Sequence, residues 1–275
     1  MVTRLPGRST TQTQPLSLEA RFGGTHAMRG NNSHALESAY DDLGRSEAAI
    51  DSPVTARVAF IKRTYAHVFG AVLAFVALET VLFKTGMADS ILRTVFGGGG
   101  KLAWVALMIA FVGAGYVAQM MAYAASKPLQ YAGLGLYVLV EAVIFLPILW
   151  KADQLTGQPI VMQAGLITLL VFGGLTSFVF ISGKDFSFLG PILTVLGFAA
   201  LGLVIASVAI GFSLGLVFSV AMVVLAAGMI IYDTSNIMLN YRTDQHVGAA
   251  LSLFASLATM FFYILRILMA TSRDD

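Results

Sequence analysis

One acidic residue stands inside a long apolar run, in the segment GMIIYDTSNIMLNY that covers residues 228–241. A carboxyl group held away from water must be protonated, paired or wetted by a cavity, so Asp233 is a candidate proton or cation site. If the following turn centres near Thr243, Asp233 lies about ten residues before it and Ser256 about thirteen after it. Those positions share a depth in an antiparallel helical hairpin, and Thr259 follows Ser256 on the same helical face. We therefore expect a carboxylate and two hydroxyls to face one another.

A second interpretation places Asp233 at the end of its helix, with DTSN as a polar exit, because Asn, Ser and Thr commonly terminate helices. The residues IMLNY after it continue the apolar spacing. This continuation favours a carboxylate that faces the interior of a helical bundle.

The elements that position these residues are long apolar stretches. The chain of 275 residues is 57% hydrophobic and 12% charged, against about 25% charged in ordinary soluble domains. A membrane span needs roughly 20 apolar residues. Seven such stretches run over Tyr65–Phe83, Leu102–Ala122, Leu129–Trp150, Ile160–Ser182, Leu189–Ile210, Phe212–Tyr232 and Val247–Ala270.

These stretches are continuously apolar and do not alternate, which indicates helices and not a membrane β-barrel. The sequence therefore predicts an all-α polytopic membrane protein with a seven-helix bundle. The fifth and sixth stretches are separated only by residues 211–213, so six spans and a re-entrant piece remain an alternative.

The chain divides into a polar tail, residues 1–55, and a transmembrane domain, residues 56–275. The tail lacks a sustained apolar period, and we expect it to be disordered. Arg57, Lys62 and Arg63 flank the first span and favour a cytoplasmic N-terminus, although basic residues also occupy the next loop. We expect a multi-pass protein of the cell's inner (plasma) membrane, with the lipid bilayer as its first partner.

Other charged residues within the spans each cost about 2.5 to 3.5 kcal/mol to insert. Glu79 is close to a helix end, where its carboxylate can reach the interface, and His67 suits an interfacial anchor. Glu141 is deeper, and both a packed protonated role and a functional role stay open. Arg266 can reach the interface or pair with a carboxylate. The candidate ion-binding or gating residues are Asp233, Ser256, Thr259, Glu141 and Arg266.

Several function classes are disfavoured by the residues present. The chain has no cysteine, which excludes thiol catalysis and disulfides. The net charge of +2 and the scattered basic residues give no reason to expect a nucleic acid partner. The spans hold no HExxH motif, and His246 is about three turns from Ser256, so we expect neither an enzyme nor a cofactor.

Five segments together resemble the Bax inhibitor-1 family in its bacterial YccA-like branch. In chain order they are RTYAHVFGAVLAFVALE, QYAGLGLYVLVEAVIFLPIL, TSFVFISGKDFSFLG, IIYDTSNI and AALSLFASLATMFFYILRIL. The resemblance covers about residues 57–270 and implies a bundle whose last helix is surrounded by the other six. It also implies a pH-sensitive leak of calcium ions, gated by two aspartates that share a proton, and animal members suppress cell death. Asp233 matches the first aspartate.

The second aspartate of that pattern is missing. The family's LYLDFINLF-like stretch corresponds here to LFASLATMF, which puts Ser256 at the aspartate position and Thr259 at the neighbouring asparagine. A shared-proton dyad needs two carboxylates, so we expect that gate to be absent or altered. Asp233 can still titrate alone, with Ser256 bonded to either form. Of the basic residues that latch the aspartate in the family, only Lys127 stands nearby.

Two functions from different classes follow. The first is a leak channel or exchanger for Ca²⁺ or H⁺, with Asp233 as the ion or proton site. The alternative is an interaction protein that modulates a membrane-bound protease, as a YccA-like relative does, with the N-terminal tail engaging the partner.

Overall fold

The computed structural model describes residues 48–97, 101–156 and 159–272, without the side chains of residues 95–96, 101–105 and 155–156. Most of the described residues are helical. These residues contain no β-strand, apart from an isolated antiparallel bridge between Ala48 and Arg242. The elements are α1 Val54–Lys84, α2 Met87–Ile91, a π-helical segment Leu92–Phe96, α3 Lys101–Ala122, α4 Lys127–Thr156, α5 Ile160–Ser182, α6 Leu189–Ala206 with a π-helical end Ser207–Gly211, α7 Leu216–Leu239 and α8 His246–Thr271.

Among the described residues, six helices are long and apolar enough to cross a membrane: α1, α4, α5, α6 with its π-helical end, α7 and α8. The described part of α3 contributes a shorter apolar helix, Ala106–Ala122. The prediction of an all-α polytopic membrane protein is confirmed, and the count of seven spans stays a prediction.

Proline and glycine mark several helix ends. α1 follows Pro53 and α5 follows Pro159, and proline suits a helix start because the first N–H groups have no partner there. Gly183, at φ 59°, ends α5 in the left-handed conformation, which glycine adopts without steric cost. α1 begins well before the apolar stretch predicted from Tyr65, so its first turns carry polar and basic residues.

The end of the predicted tail is ordered. Residues 1–47 lie outside the described residues, but Ala49 is fully buried. Its N–H donates a hydrogen bond of 2.8 Å to the carbonyl oxygen of Tyr241. Residues 48–53, the last part of the predicted tail, therefore pack on the connection between α7 and α8.

The last helix lies in the interior of the bundle. α8 packs against α7, α1, α5, α4 and α3. In its most apolar window 61% of the residues are buried, against 39% or less in the other five candidate spans. α6 is the opposite case, since none of its corresponding window is buried. A helix surrounded by other helices can hold polar groups away from lipid, and α8 carries Ser256.

Small residues allow a close approach of α3 and α4. A Cβ atom at Gly133 would lie 2.6 Å from the carbonyl oxygen of Ala118, so only glycine fits there. A Cβ atom at Gly173 or Gly174 would meet no other atom within 4 Å, so these two glycines on α5 do not serve close helix packing.

A short connection, residues 240–245, joins α7 to α8. The N–H of Tyr241 donates to Asn236 and the N–H of Gln245 donates to Arg242, each at 2.9 Å. Arg242 and Asp244 form a 3.2 Å ion pair at the surface. This compact turn fixes the relative depth of residues on α7 and α8.

Candidate functional site

Asp233 lies within α7 and does not end it. The helix continues to Leu239, and Thr234, Ser235 and Asn236 are buried. The interpretation of DTSN as a polar exit is therefore wrong. Asp233 is 7% exposed, and the apolar residues that follow it keep α7 packed in the bundle.

The hairpin brings Asp233 against Ser256, as the counting of residues predicts. The Ser256 hydroxyl donates to Asp233 Oδ2 over 2.6 Å, a length typical of a hydrogen bond to a charged carboxylate. Ser256 is fully buried. Within the described residues no basic side chain pairs with Asp233, so its charge has to be balanced by a proton, by a cation or by water.

The hydrogen bonds of Ser256 allow two states. Its oxygen also lies 3.2 Å from the carbonyl oxygen of Ser252, but one hydroxyl has one hydrogen to donate. When Asp233 is charged, Ser256 donates to the carboxylate. When Asp233 is protonated, its own O–H can donate to Ser256, which then turns its hydrogen to Ser252. The site can accept a proton without leaving any of these groups unbonded.

A cavity of about 390 Å³ lies beside this pair, between α6, α7 and α8. Its polar lining comes from Gln119, Thr194, Tyr232, Asp233, Ser252 and Ser256. A water molecule occupies about 30 Å³ in the liquid, so the cavity has room for several waters or a hydrated ion.

A second set of hydroxyls extends from the cavity to the end of the bundle. Tyr123 Oη lies 2.8 Å from Ser252 Oγ and 2.8 Å from Tyr241 Oη. Gly248 makes room for this arrangement, because a Cβ atom there would lie 2.6 Å from the Tyr123 ring. Burial raises the pKa of both phenols, so Tyr123 and Tyr241 stay neutral hydroxyls at physiological pH.

Two of the predicted site residues lie apart from the Asp233 pair. The Thr259 hydroxyl donates to the carbonyl oxygen of Ala255 over 2.9 Å, in its own helix. The Glu141 carboxyl interacts with the Tyr137 hydroxyl one turn earlier on α4. The structure therefore brings together Asp233 and Ser256, and it gives Thr259 and Glu141 other partners.

The two basic candidates bind backbone carbonyl groups. Arg266 donates to Leu214 over 2.7 Å beside a separate cavity of about 500 Å³. Lys127 donates to the carbonyl oxygen of Asp244 and, over 3.1 Å, to Gln130 Oε1. Lys127 therefore holds the connection between α7 and α8, and the latch that the resemblance implies for the aspartate is not formed.

Glu79 departs from its predicted interfacial position. Its side chain is buried, and both carboxyl oxygens lack a hydrogen-bond partner within the described residues. The cavity next to it, about 330 Å³, is lined by Phe75, Phe83 and Phe261 among others. A buried carboxyl without partners is costly, and packing of α1 against its neighbours holds this one in place.

The sequence pattern missed Ser252, Tyr123 and Tyr241. Ser252 precedes Ser256 by one helical turn and lies on the same face of α8, so this spacing could have predicted Ser252 as a site residue. Tyr123 and Tyr241 lie in connections outside the helical period, and their contact across 118 positions has no local signature.

Comparisons with known proteins agree with this architecture. The sequence profile of the family described as "Inhibitor of apoptosis-promoting Bax1" matches residues 57–273. Protein LIFEGUARD 4 of Arabidopsis thaliana is 28% identical over 222 residues, which cover 78% of this chain and 85% of that protein. Protein LIFEGUARD 2 of the same plant is 26% identical over 247 residues, covering 87% and 98%.

The Golgi anti-apoptotic protein of vaccinia virus (strain Lister) is 25% identical over 244 residues, covering 87% of this chain and 97% of the viral protein. The profile match extends over nearly all of the helical region, and it includes both helices that form the Asp233 pair. A profile match over most of the sequence shows that the chain belongs to the Bax inhibitor family of membrane proteins.

Proposed function

We propose that this protein is a proton-controlled leak channel or exchanger for Ca²⁺ or H⁺, with Asp233 as its ion or proton site. The observation that carries the proposal is the 2.6 Å hydrogen bond between Ser256 Oγ and Asp233 Oδ2 beside a cavity of about 390 Å³. An acid without a basic partner, next to space for water, can exchange a proton or a cation.

The available oxygen atoms suit a weakly bound hard cation. Ca²⁺ takes six to eight oxygen ligands from carboxylates, carbonyls, hydroxyls and water. Here the protein offers the Asp233 carboxylate and the hydroxyls of Ser252 and Ser256 at the cavity wall, so water must supply much of the shell. Low affinity is compatible with conduction, which requires an ion to leave as well as to enter.

The pH response should be that of a single acid. The ionisable groups that face Asp233 from neighbouring elements are the phenols of Tyr65, Tyr123 and Tyr241. A dyad of carboxylates titrates in two coupled steps, whereas Asp233 with Ser256 has one step. We therefore expect the ion flux to depend on pH through a single titration step. Replacing Ser256 by aspartate should restore the two-step profile.

The proposal also states which membrane holds the protein and how the chain is oriented in it. We propose the inner (plasma) membrane with the N-terminus on the cytoplasmic side, supported by Arg57, Lys62 and Arg63 on the first turns of α1. A labelling reagent that does not cross membranes, applied to single-cysteine variants of this cysteine-free chain, tests the orientation.

A flux assay tests the function. The purified protein is reconstituted into vesicles that contain a calcium dye, and Ca²⁺ entry is recorded between pH 6 and 8. We expect flux in the wild type to change with pH and Asp233→Asn to remove that change, because the amide cannot titrate. The matched control is Asp185→Asn, in the exposed connection after α5, which should behave as the wild type. Equal flux in the wild type and in Asp233→Asn at every pH would refute the proposal.

A further inference from the structure

Two histidines from distant parts of the chain meet outside the Asp233 site. The ring centroids of His67, on α1, and His246, the first residue of α8, are 5.1 Å apart, with their planes at 58°. Tyr131, near the start of α4, also stacks on His67, with ring centroids 5.5 Å apart. Three helices thus place two imidazoles and a phenol in one cluster.

The tautomer of His67 leaves one nitrogen available. Its Nδ1 lies 2.6 Å from the carbonyl oxygen of Arg63, so Nδ1 carries the hydrogen and donates it. Its Nε2 then carries a lone pair and no hydrogen, and it accepts a hydrogen bond of 3.3 Å from the Tyr131 hydroxyl. A histidine fixed by an Nδ1–H bond to a backbone carbonyl, with Nε2 unprotonated, is the arrangement that metal-binding histidines commonly show.

His246 supplies an unused polar atom. The residue is 7% exposed, and its Nδ1 has no hydrogen-bond partner within the described residues. A buried donor or acceptor left unbonded costs about 1 to 3 kcal/mol. Nothing in the helical packing accounts for that cost, whereas a ligand shared with His67 would offset it.

Two distances within the cluster are close to those of a tetrahedral metal centre. Two ligand atoms bound at 2.0 to 2.1 Å in a tetrahedron are about 3.3 to 3.4 Å apart, and two bound imidazole rings have centroids about 5.2 Å apart. The structure has 3.3 Å between His67 Nε2 and Tyr131 Oη and 5.1 Å between the two histidine rings. Because His246 Nδ1 makes no hydrogen bond with either of the other two side chains, its ring has to turn toward them for the three ligand atoms to meet one ion.

We propose that His67, His246 and Tyr131 form a binding site for a divalent transition metal such as Zn²⁺, Ni²⁺ or Cu²⁺, with water as a fourth ligand. On binding, the Tyr131 hydroxyl gives up to solvent the proton that it shares with His67 Nε2 in the metal-free protein. Imidazole nitrogen suits these ions. Among the described residues no three His, Cys, Asp or Glu side chains are grouped so that they could hold a metal ion. The third protein ligand of the proposed site is therefore the tyrosine oxygen.

The charges around the site limit its affinity. Arg63 and Lys127 act on His246 as neighbouring positive charges, and Asp244 acts in the opposite sense. A dication therefore meets net repulsion at this end of the bundle. We expect binding weaker than at closed structural sites with four protein ligands. An ion bound here would tie α1, α4 and α8 together.

A cobalt titration tests this site. Four-coordinate Co²⁺ absorbs strongly in visible light, so it is added to tag-free, chelator-treated protein in detergent, and Zn²⁺ is then added as a competitor. We expect one Co²⁺ per chain, displaced by Zn²⁺. His67→Asn and His246→Asn should each weaken binding at least tenfold, and Tyr131→Phe should weaken it less. The control is the double variant His26→Asn/His34→Asn, which changes the other two histidines of the chain and should bind as the wild type.

Thermal unfolding gives a second readout. Zn²⁺ should raise the midpoint for the wild type and for the double control variant but not for His67→Asn, because only a ligand that binds the folded state stabilises it. Wild-type affinity in both single histidine variants, or loss of binding in the double control, would overturn the proposal. If a histidine variant does not fold, Tyr131→Phe decides the outcome, since unchanged affinity and band shape there would exclude the proposed ligand set. Asp233→Asn should retain metal binding, which separates this test from that of the proposed function.

Discussion

Replacing Ser256 by alanine isolates the hydrogen bond on which the proposed function depends. The substitution removes a donor 2.6 Å from Asp233 Oδ2 and leaves the carboxyl in place. Hydrogen bonds to charged groups contribute about 1.5 to 3 kcal/mol, and those between neutral groups about 0.5 to 1.5 kcal/mol. In Ser256→Ala both the charged and the protonated state of Asp233 lose their hydrogen bond to Ser256. The charged state loses about 1 kcal/mol more than the protonated state, so the substitution disfavours the charged state by that amount.

That difference sets the size of the expected shift. One pH unit corresponds to 1.36 kcal/mol, so about 1 kcal/mol moves a midpoint by about 0.7 pH unit. The sign follows from the lost donor: without it the carboxyl keeps its proton to a higher pH. We therefore expect the pH midpoint of Ca²⁺ flux to rise in Ser256→Ala, with the amplitude retained.

The assay is the vesicle flux measurement at closely spaced pH values. Ser219→Ala is the matched control, since Ser219 is a buried serine near the start of α7, four turns from Asp233 by helical rise, and its midpoint should not move. An unchanged midpoint in Ser256→Ala, in vesicles where Asp233→Asn abolishes the pH response, would show that the hydrogen bond does not control the acid. A downward shift would contradict the assignment of Ser256 as a donor to the charged form.

Two further predictions concern stability in detergent. Gly248→Ala should lower the thermal midpoint of unfolding, because its Cβ would meet the Tyr123 ring at 2.6 Å and overpacking costs about 1 to 3 kcal/mol. The control Gly173→Ala, at a position that faces open space, should leave the midpoint unchanged. Equal midpoints for the two variants would mean that the Tyr123 ring moves aside freely. Glu79→Leu should raise the midpoint, because it removes a buried carboxyl whose oxygens have no partner within the described residues. A lower midpoint would indicate that a bound ion or water satisfies that carboxyl.

Local patterns predicted the helices and the principal pair of the site. The residues IMLNY keep an apolar helical spacing after Asp233, and α7 does continue through them. Counting from the turn placed Asp233 and Ser256 at one depth, because both helices have the same rise per residue and a short connection joins them. Thr259 shares the helical face, yet its hydroxyl bonds to the preceding turn, as threonine commonly does.

The errors occurred where an interaction depends on elements distant in the chain. Lys127 appeared close enough to latch Asp233, but the fold directs it to the carbonyl of Asp244. Glu79 appeared free to reach the interface, but packing buries it. In each case the direction of the side chain depended on neighbouring elements that no local pattern identifies.

The sequence by itself determined that this protein is a bundle of apolar helices, with an acid directly after its sixth apolar stretch and a serine at the family's second acidic position. It could do so because membrane insertion imposes length and polarity on each helix separately. The family resemblance already implied that the last helix is interior. Only the tertiary structure decided that hydroxyls run from Ser252 to Tyr241 and that His67 meets His246. Those features arise from the packing of helices against one another, and packing is a property of pairs of surfaces that no single stretch of sequence contains.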